Sequence, residues 1–188
     1  FYYRLDSVMI ERMLDNGKEQ AGIYAQAYTL LEGFNMFGYL FAGLLLPIFS
    51  RMLKNKESVT KLVNTSFNLI FIPAVAAATI SVIYPYEIMD ILYLDKVVES
   101  AEIFQVLMLS FIAIALTYIY GTLLTANGNL KQLNIISLIG LVLNLTMNFI
   151  FIPIYGAWGA AIATLVTQFF VVLTQIIISK QIFKMSYE

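Results

Sequence analysis

From Gln132 to Ser179 the chain carries no charged side chain, and the run is broken near its middle by Ile152-Pro153-Ile154-Tyr155-Gly156-Ala157-Trp158-Gly159. A helix rises about 1.5 Å per residue, so about 20 apolar residues cross the roughly 30 Å hydrocarbon core of a bilayer. The run is too long for one crossing and suits two, which predicts a membrane helical hairpin. Pro153 cannot continue the first helix, and Gly156 accepts the backbone angles that a reversal needs. Tyr155 and Trp158 fall where amphipathic rings prefer to sit, at the membrane–water boundary.

The remainder of the chain reads the same way. It is 60% hydrophobic and only 12% charged, against about 25% charged in soluble domains. Spans are predicted over 22–47, 62–86, 103–125, 132–152 and 158–179, after a clipped one over 1–14. Pro47 and the charged segment Arg51 to Lys61 close the second span, and Pro73 is expected to kink the third. An acidic loop from Glu87 to Glu102 leads into the fourth, and Asn127-Gly128-Asn129 forms a tight turn. The predicted fold class is all-α and integral to the membrane: a six-helix transmembrane bundle with its first helix truncated. Phe1 lies inside a hydrophobic helix, so the chain is expected to be the C-terminal part of something longer.

Loop charges predict the orientation, because lysine and arginine are retained on the cytoplasmic side. One set of ends carries Arg51, Lys54, Lys56, Lys61, Lys131, Lys180 and Lys184, and the other only Arg12, Lys18 and Lys96. The C-terminus is therefore expected in the cytoplasm and the protein in the inner (plasma) membrane.

Cysteine and histidine are both absent, which removes disulfides, thiolate nucleophiles, imidazole bases and the common transition-metal ligands. No large loop offers room for an acid and base pair. An enzyme, a bound cofactor and a metal centre are accordingly not expected, and the net charge of −1, without a basic cluster, argues against nucleic acid.

Charges at membrane depth are the informative ones, since each costs a few kcal/mol there and marks a partner, a cavity or an ion path. Counting inward from the turn at Asp15 to Lys18 places Arg4, Asp6 and Glu32 roughly 13 to 16 Å deep. Arg4 and Glu32 can pair across neighbouring antiparallel helices. Arg4 and Asp6, two positions apart, cannot face one partner. One reading is a central cavity in which Arg4 attracts an anionic group and Asp6 or Glu32 binds a coupling cation or proton; the other is a buried ion pair that fixes packing. A second polar set comprises Asn144 and Asn148 on the fifth span and Thr164, Thr167, Gln168 and Gln175 on the sixth. These either glue the helices together or line the cavity.

The sequence from Asn144 to Thr164 resembles the N-x3-N, apolar, I-P-x-x-G-x-x-G-A-A-x-A-T hairpin of Wzx-type polysaccharide flippases, within the multidrug/oligosaccharidyl-lipid/polysaccharide exporter superfamily. Arg4-x-Asp6, Gly22-x-Tyr24-x-x-Ala27, Glu32 and Pro47 look like the seventh and eighth helices of that family. The resemblance implies the second lobe of a two-lobe exporter, with an N-terminal lobe upstream. Such a transporter would move an undecaprenyl-diphosphate-linked oligosaccharide from the inner to the outer leaflet by alternating access, for surface polysaccharide or lipopolysaccharide synthesis. It further implies Arg4 at the substrate cavity and Asp6 and Glu32 coupling transport to a proton or Na+; Asn144, Asn148 and Gln168 are the expected cavity residues of the polar set. Its partners would be the lipid-linked oligosaccharide, membrane lipid, and a glycan polymerase or glycosyltransferases. The same superfamily holds organic-cation antiporters and the lipid II flippase, and a non-transporting scaffold for envelope assembly is the reading from another class.

Overall fold

The structure is a computed structural model that describes residues 5–184. Among the described residues the chain forms six α-helices and no strand: α1 (Leu5–Met13), α2 (Gly17–Lys54), α3 (Thr60–Ile83), α4 (Pro85–Leu92), α5 (Val97–Ala126) and α6 (Leu130–Phe183). Four of these are long and apolar enough to cross a membrane: α2, α3, α5 and α6.

α6 is two helices in one. At Gly156 the backbone takes φ 61° and ψ −142°, a combination essentially reserved for residues without a Cβ. The chain doubles back there. A Cβ on Gly159 would meet the Phe151 carbonyl oxygen at 2.5 Å, and one on Gly140 would meet Val171 Cγ2 at 2.9 Å, so the two arms (130–155 and 157–183) lie against one another along their length. The break frees backbone donors, and one is captured: Ala157 N–H donates to Gln20 Oε1 at 3.2 Å.

Two boundaries differ from the sequence reading. Pro47 does not close its helix, because α2 continues to Lys54. A proline forfeits one backbone bond and crowds the carbonyl four residues before it, here that of Gly43. Beyond the proline, Phe49 is fully buried against a cluster containing Leu45, Val59, Val63 and Leu123, and that packing holds the extra turns. The acidic segment after Tyr86 is likewise not all loop. Pro85 sits at the start of α4, where its missing N–H costs nothing, and Met89 is fully buried under it. Pro73 lies inside α3.

α5 is the axis of the bundle. Most of its side chains are buried, and α2, α3, α4 and α6 all pack on it. The other long helices turn apolar side chains outward: Leu44, Ile72, Ile139, Phe149, Leu173 and Ile177 are all exposed, which suits lipid as the surrounding medium. Two apolar clusters fill the interior. One surrounds Ile10, Tyr24, Leu31, Phe104 and Leu107; the other surrounds Phe49, Val63, Tyr120 and Val172.

The reversals alternate between two ends. At one end the α1–α2 turn, the α4–α5 connection and the α6 reversal meet: Lys96 Nζ pairs with Glu19 at 2.6 Å and Glu99 at 3.7 Å, and Tyr93 OH donates to the Gln26 carbonyl at 3.2 Å. The opposite end gathers the α2–α3 and α5–α6 turns and the close of α6, with Lys54, Lys131 and Lys180.

Candidate functional site

Asp6 on α1, Tyr24 on α2, Asn148 on the first arm of α6 and Thr164 on its second arm each lie about two helical turns from their own reversal at the same end, and Asn144 lies one turn deeper than Asn148. At about 1.5 Å per residue Asp6, Tyr24, Asn148 and Thr164 reach a common level roughly 11 to 14 Å below it. That shared depth is why residues so distant in sequence converge.

The convergence is a closed hydrogen-bonded cluster around one carboxylate. Asn148 Nδ2 donates to Asp6 Oδ1 at 2.6 Å, while Thr164 Oγ1 and Tyr24 OH donate to Oδ2 at 2.8 and 3.0 Å. Asn148 Nδ2 also reaches Asn144 Oδ1 at 3.2 Å, and the Tyr24 and Thr164 hydroxyls are 3.5 Å apart. All five residues are buried, Tyr24 and Asn148 completely. Tyr24 stacks on Tyr28 with ring centroids 5.8 Å apart, which fixes the phenol's direction.

Among the described residues every donor to Asp6 is neutral, and no lysine or arginine lies within ion-pair distance of it. An ion in a low-dielectric interior carries a desolvation penalty of several kcal/mol, against about 1.5–3 kcal/mol for each hydrogen bond to a charged group. The site is also rich in oxygen: the carboxylate, Asn144 Oδ1, Thr164 Oγ1 and Asn148 Oδ1, the last of which is buried without a partner among the described residues. Hard oxygen donors of this kind suit an alkali cation or a proton rather than a transition metal.

Of the residues singled out from sequence, Asp6, Asn144, Asn148 and Thr164 come together. Glu32 does not join them; it is exposed on α2, a full two turns beyond Tyr24. Gln168 is half-buried and outside the cluster, and Arg4 lies outside the described residues. Tyr24 is the member that the reading of charges and amides missed, since a tyrosine in an apolar helix looks like packing. Its depth, matched to that of Asp6, was the available signal. The α2–α3–α5 side holds a separate cavity of about 290 Å³, lined by Phe34, Phe37, Phe41, Pro73 and Phe111, with no charged group to orient a headgroup.

A family model described as lipid II flippase MurJ matches residues 7–187. No curated protein and no solved structure matches the chain. The match supports the lipid-linked flippase character of the resemblance and lends nothing to the Wzx-type branch in particular.

Proposed function

The chain belongs to the lipid II flippase MurJ family, and from that premise we propose that it is the ion-coupled part of a transporter that turns lipid II from one leaflet to the other. The family is one of multi-pass membrane transporters rather than enzymes.

The observation that carries the coupling role is Asp6, a carboxylate buried among neutral donors where α1, α2 and both arms of α6 meet. A Na+ ion or proton bound there ties four helical segments together and favours whichever arrangement of them completes the site. A ligand shifts such an equilibrium only by its difference in affinity between the two states, and a site assembled from separate helices supplies that difference. Asn144 and Asn148 then serve the ion rather than the substrate, since both are buried against Asp6 in this arrangement. Loop charge favours the end with Lys54, Lys131 and Lys180 facing the cytoplasm.

A second substrate reading, a lipid-linked oligosaccharide for surface polysaccharide, rests on the likeness of the hairpin from Asn144 to Thr164. The two are separated with full-length protein in proteoliposomes carrying either fluorescent lipid II or an undecaprenyl-diphosphate oligosaccharide lacking peptide, under imposed Na+ or proton gradients. Gradient-stimulated movement of lipid II is the expected result. Movement of the oligosaccharide alone would shift the assignment to the polysaccharide carriers, and movement of neither would refute transport.

A further inference from the structure

Serine and threonine in these helices mostly satisfy themselves. Thr29, Ser50, Thr79, Thr117, Thr122, Thr125, Thr146 and Thr174 each donate to the carbonyl four residues before them, at 2.6 to 3.2 Å. Thr167 and Ser179, on the second arm of α6, do not. Both are buried, and among the described residues neither hydroxyl has a protein partner; the same is true of Gln175 Oε1 between them.

These residues share one helix face with Thr164, at spacings of three, eight and four. They extend the Asp6 cluster as a polar line down the inside of the lobe. The rise from Thr164 to Ser179 is roughly 22 Å, enough to reach the end that carries Lys131 and Lys180. Glycines on the neighbouring walls let this face pack closely. Gly140 on the first arm faces Thr167 and Val171, and Gly121 on α5 faces Gln175, whose Oε1 would lie 3.4 Å from a Cβ there. Buried polar atoms without protein partners are ordinarily satisfied by internal water. Four such atoms (Asn148 Oδ1, Thr167 Oγ1, Gln175 Oε1 and Ser179 Oγ) occur in the hairpin, all of them inward.

We propose that this line is a hydrated access route along which the coupling monovalent cation moves between the Asp6 cluster and the basic end of the bundle. Val171, seated on Gly140, is its one apolar step, and it separates Thr167 from Gln175. The route gives Asp6 contact with one aqueous phase from within the lobe. The proposal rests on the coupling role assigned to Asp6, and it specifies where the ion goes.

The chain has no cysteine, so single cysteines in the full-length protein report without background. Thr167→Cys, Gln175→Cys and Ser179→Cys are compared in membrane vesicles with Val172→Cys, which is buried and apolar. The probe is a small charged methanethiosulfonate. It reacts with thiolate, forming a mixed disulfide and releasing methanesulfinate, and a thiol in dry packing does not ionise appreciably. Positions 175 and 179 are expected to react at least tenfold faster than 172. Position 167 is expected to react more slowly than these, and severalfold faster once Val171→Ala is added. Rates at all three positions equal to that at 172 overturn the proposal. So does reaction at 175 and 179 with none at 167 even in the Val171→Ala background, because the line then stops short of Asp6. Thr167→Cys and Ser179→Cys are near-isosteric, so the test survives if Gln175→Cys is poorly produced. Labelling requires no transport, so loss of coupling at Asp6 and loss of this route are read separately.

Discussion

Asp6→Asn and Asp6→Leu should separate the structural role of this carboxylate from its ionic one. In Asp6→Asn the side chain has one workable orientation. Asn148 Nδ2 can only donate, so the new amide oxygen must stay opposite it, at the present 2.6 Å contact. The new amide nitrogen then faces the Thr164 and Tyr24 hydroxyls, now at 2.8 and 3.0 Å from Oδ2, and both can accept. All three contacts survive, so stability should change by no more than about 1 kcal/mol. Asp6→Leu strips the partner from three buried donors. Leaving a buried polar group unmet costs about 1–3 kcal/mol, but Tyr24 and Thr164 are 3.5 Å apart and can pair, and Asn148 keeps Asn144. The loss should therefore be about 3 kcal/mol, near the lower end of the sum. For a protein of this size that corresponds to a fall in melting temperature of roughly 6–12 °C. Thermal unfolding of purified protein in detergent reads the first quantity, and gradient-driven lipid II movement in proteoliposomes reads the second. Asp6→Asn should melt near the wild type yet lose at least tenfold of its cation-stimulated rate. If it melts as low as Asp6→Leu, the hydrogen-bond argument fails; if it keeps wild-type stimulation, the coupling role fails.

Other expectations follow from the same geometry. Glu32→Gln should leave cation stimulation intact, since Glu32 is exposed and away from the cluster; a loss like that of Asp6→Asn would place it back in the coupling machinery. Gly156→Ala forces a side chain into φ 61°, ψ −142° and sets a Cβ 3.0 Å from Gln20 Oε1. It should destabilise by about 2–4 kcal/mol, combining backbone strain with a lost hydrogen bond, while Gly128→Ala, with open space around it, costs less; equal melting temperatures would contradict this. Glu19, with help from Glu99, raises the Lys96 pKa above the ordinary lysine value. The folded value is the higher one, so any stabilisation is fully present below the unfolded pKa and fades as pH rises through the folded one. The pair is solvent-exposed and screened, so Lys96→Met should leave melting at pH 7 and high salt unchanged, and a clear drop would show a stronger tie between α2 and α5.

Length and hydropathy were enough to find the long helices, because in a bilayer both are one-dimensional requirements that each segment meets alone. The reversal at Gly156 was legible for a related reason: Pro153 and Gly156 act through their own backbone, whatever surrounds them. Pro47 shows the limit of such local signals. Tertiary burial of Phe49 carried α2 past it, and burial of Met89 shaped a helix where charge suggested a loop. The likeness of the hairpin from Asn144 to Thr164 pointed toward lipid-linked flippases, while the branch came only from the match over residues 7–187.

The site lay between these extremes. Membrane depth marked Asp6 as costly, the one-turn spacing of Asn144 and Asn148 marked a shared face, and Thr164 stood out as a polar residue on the last span, so four members of the cluster were visible. Their meeting was not. In a soluble helix the polar face gives the rotation about the axis, but α6 is apolar nearly all round, because lipid and protein interior ask for the same side chains. Hydropathy therefore fixes how deep a residue sits and leaves open which way it points. Close packing of α1, α2 and the two arms of α6 around α5 settled that direction. It set Tyr24 and Thr164 on Asp6, while Glu32, two turns beyond Tyr24 on α2, lies at another level.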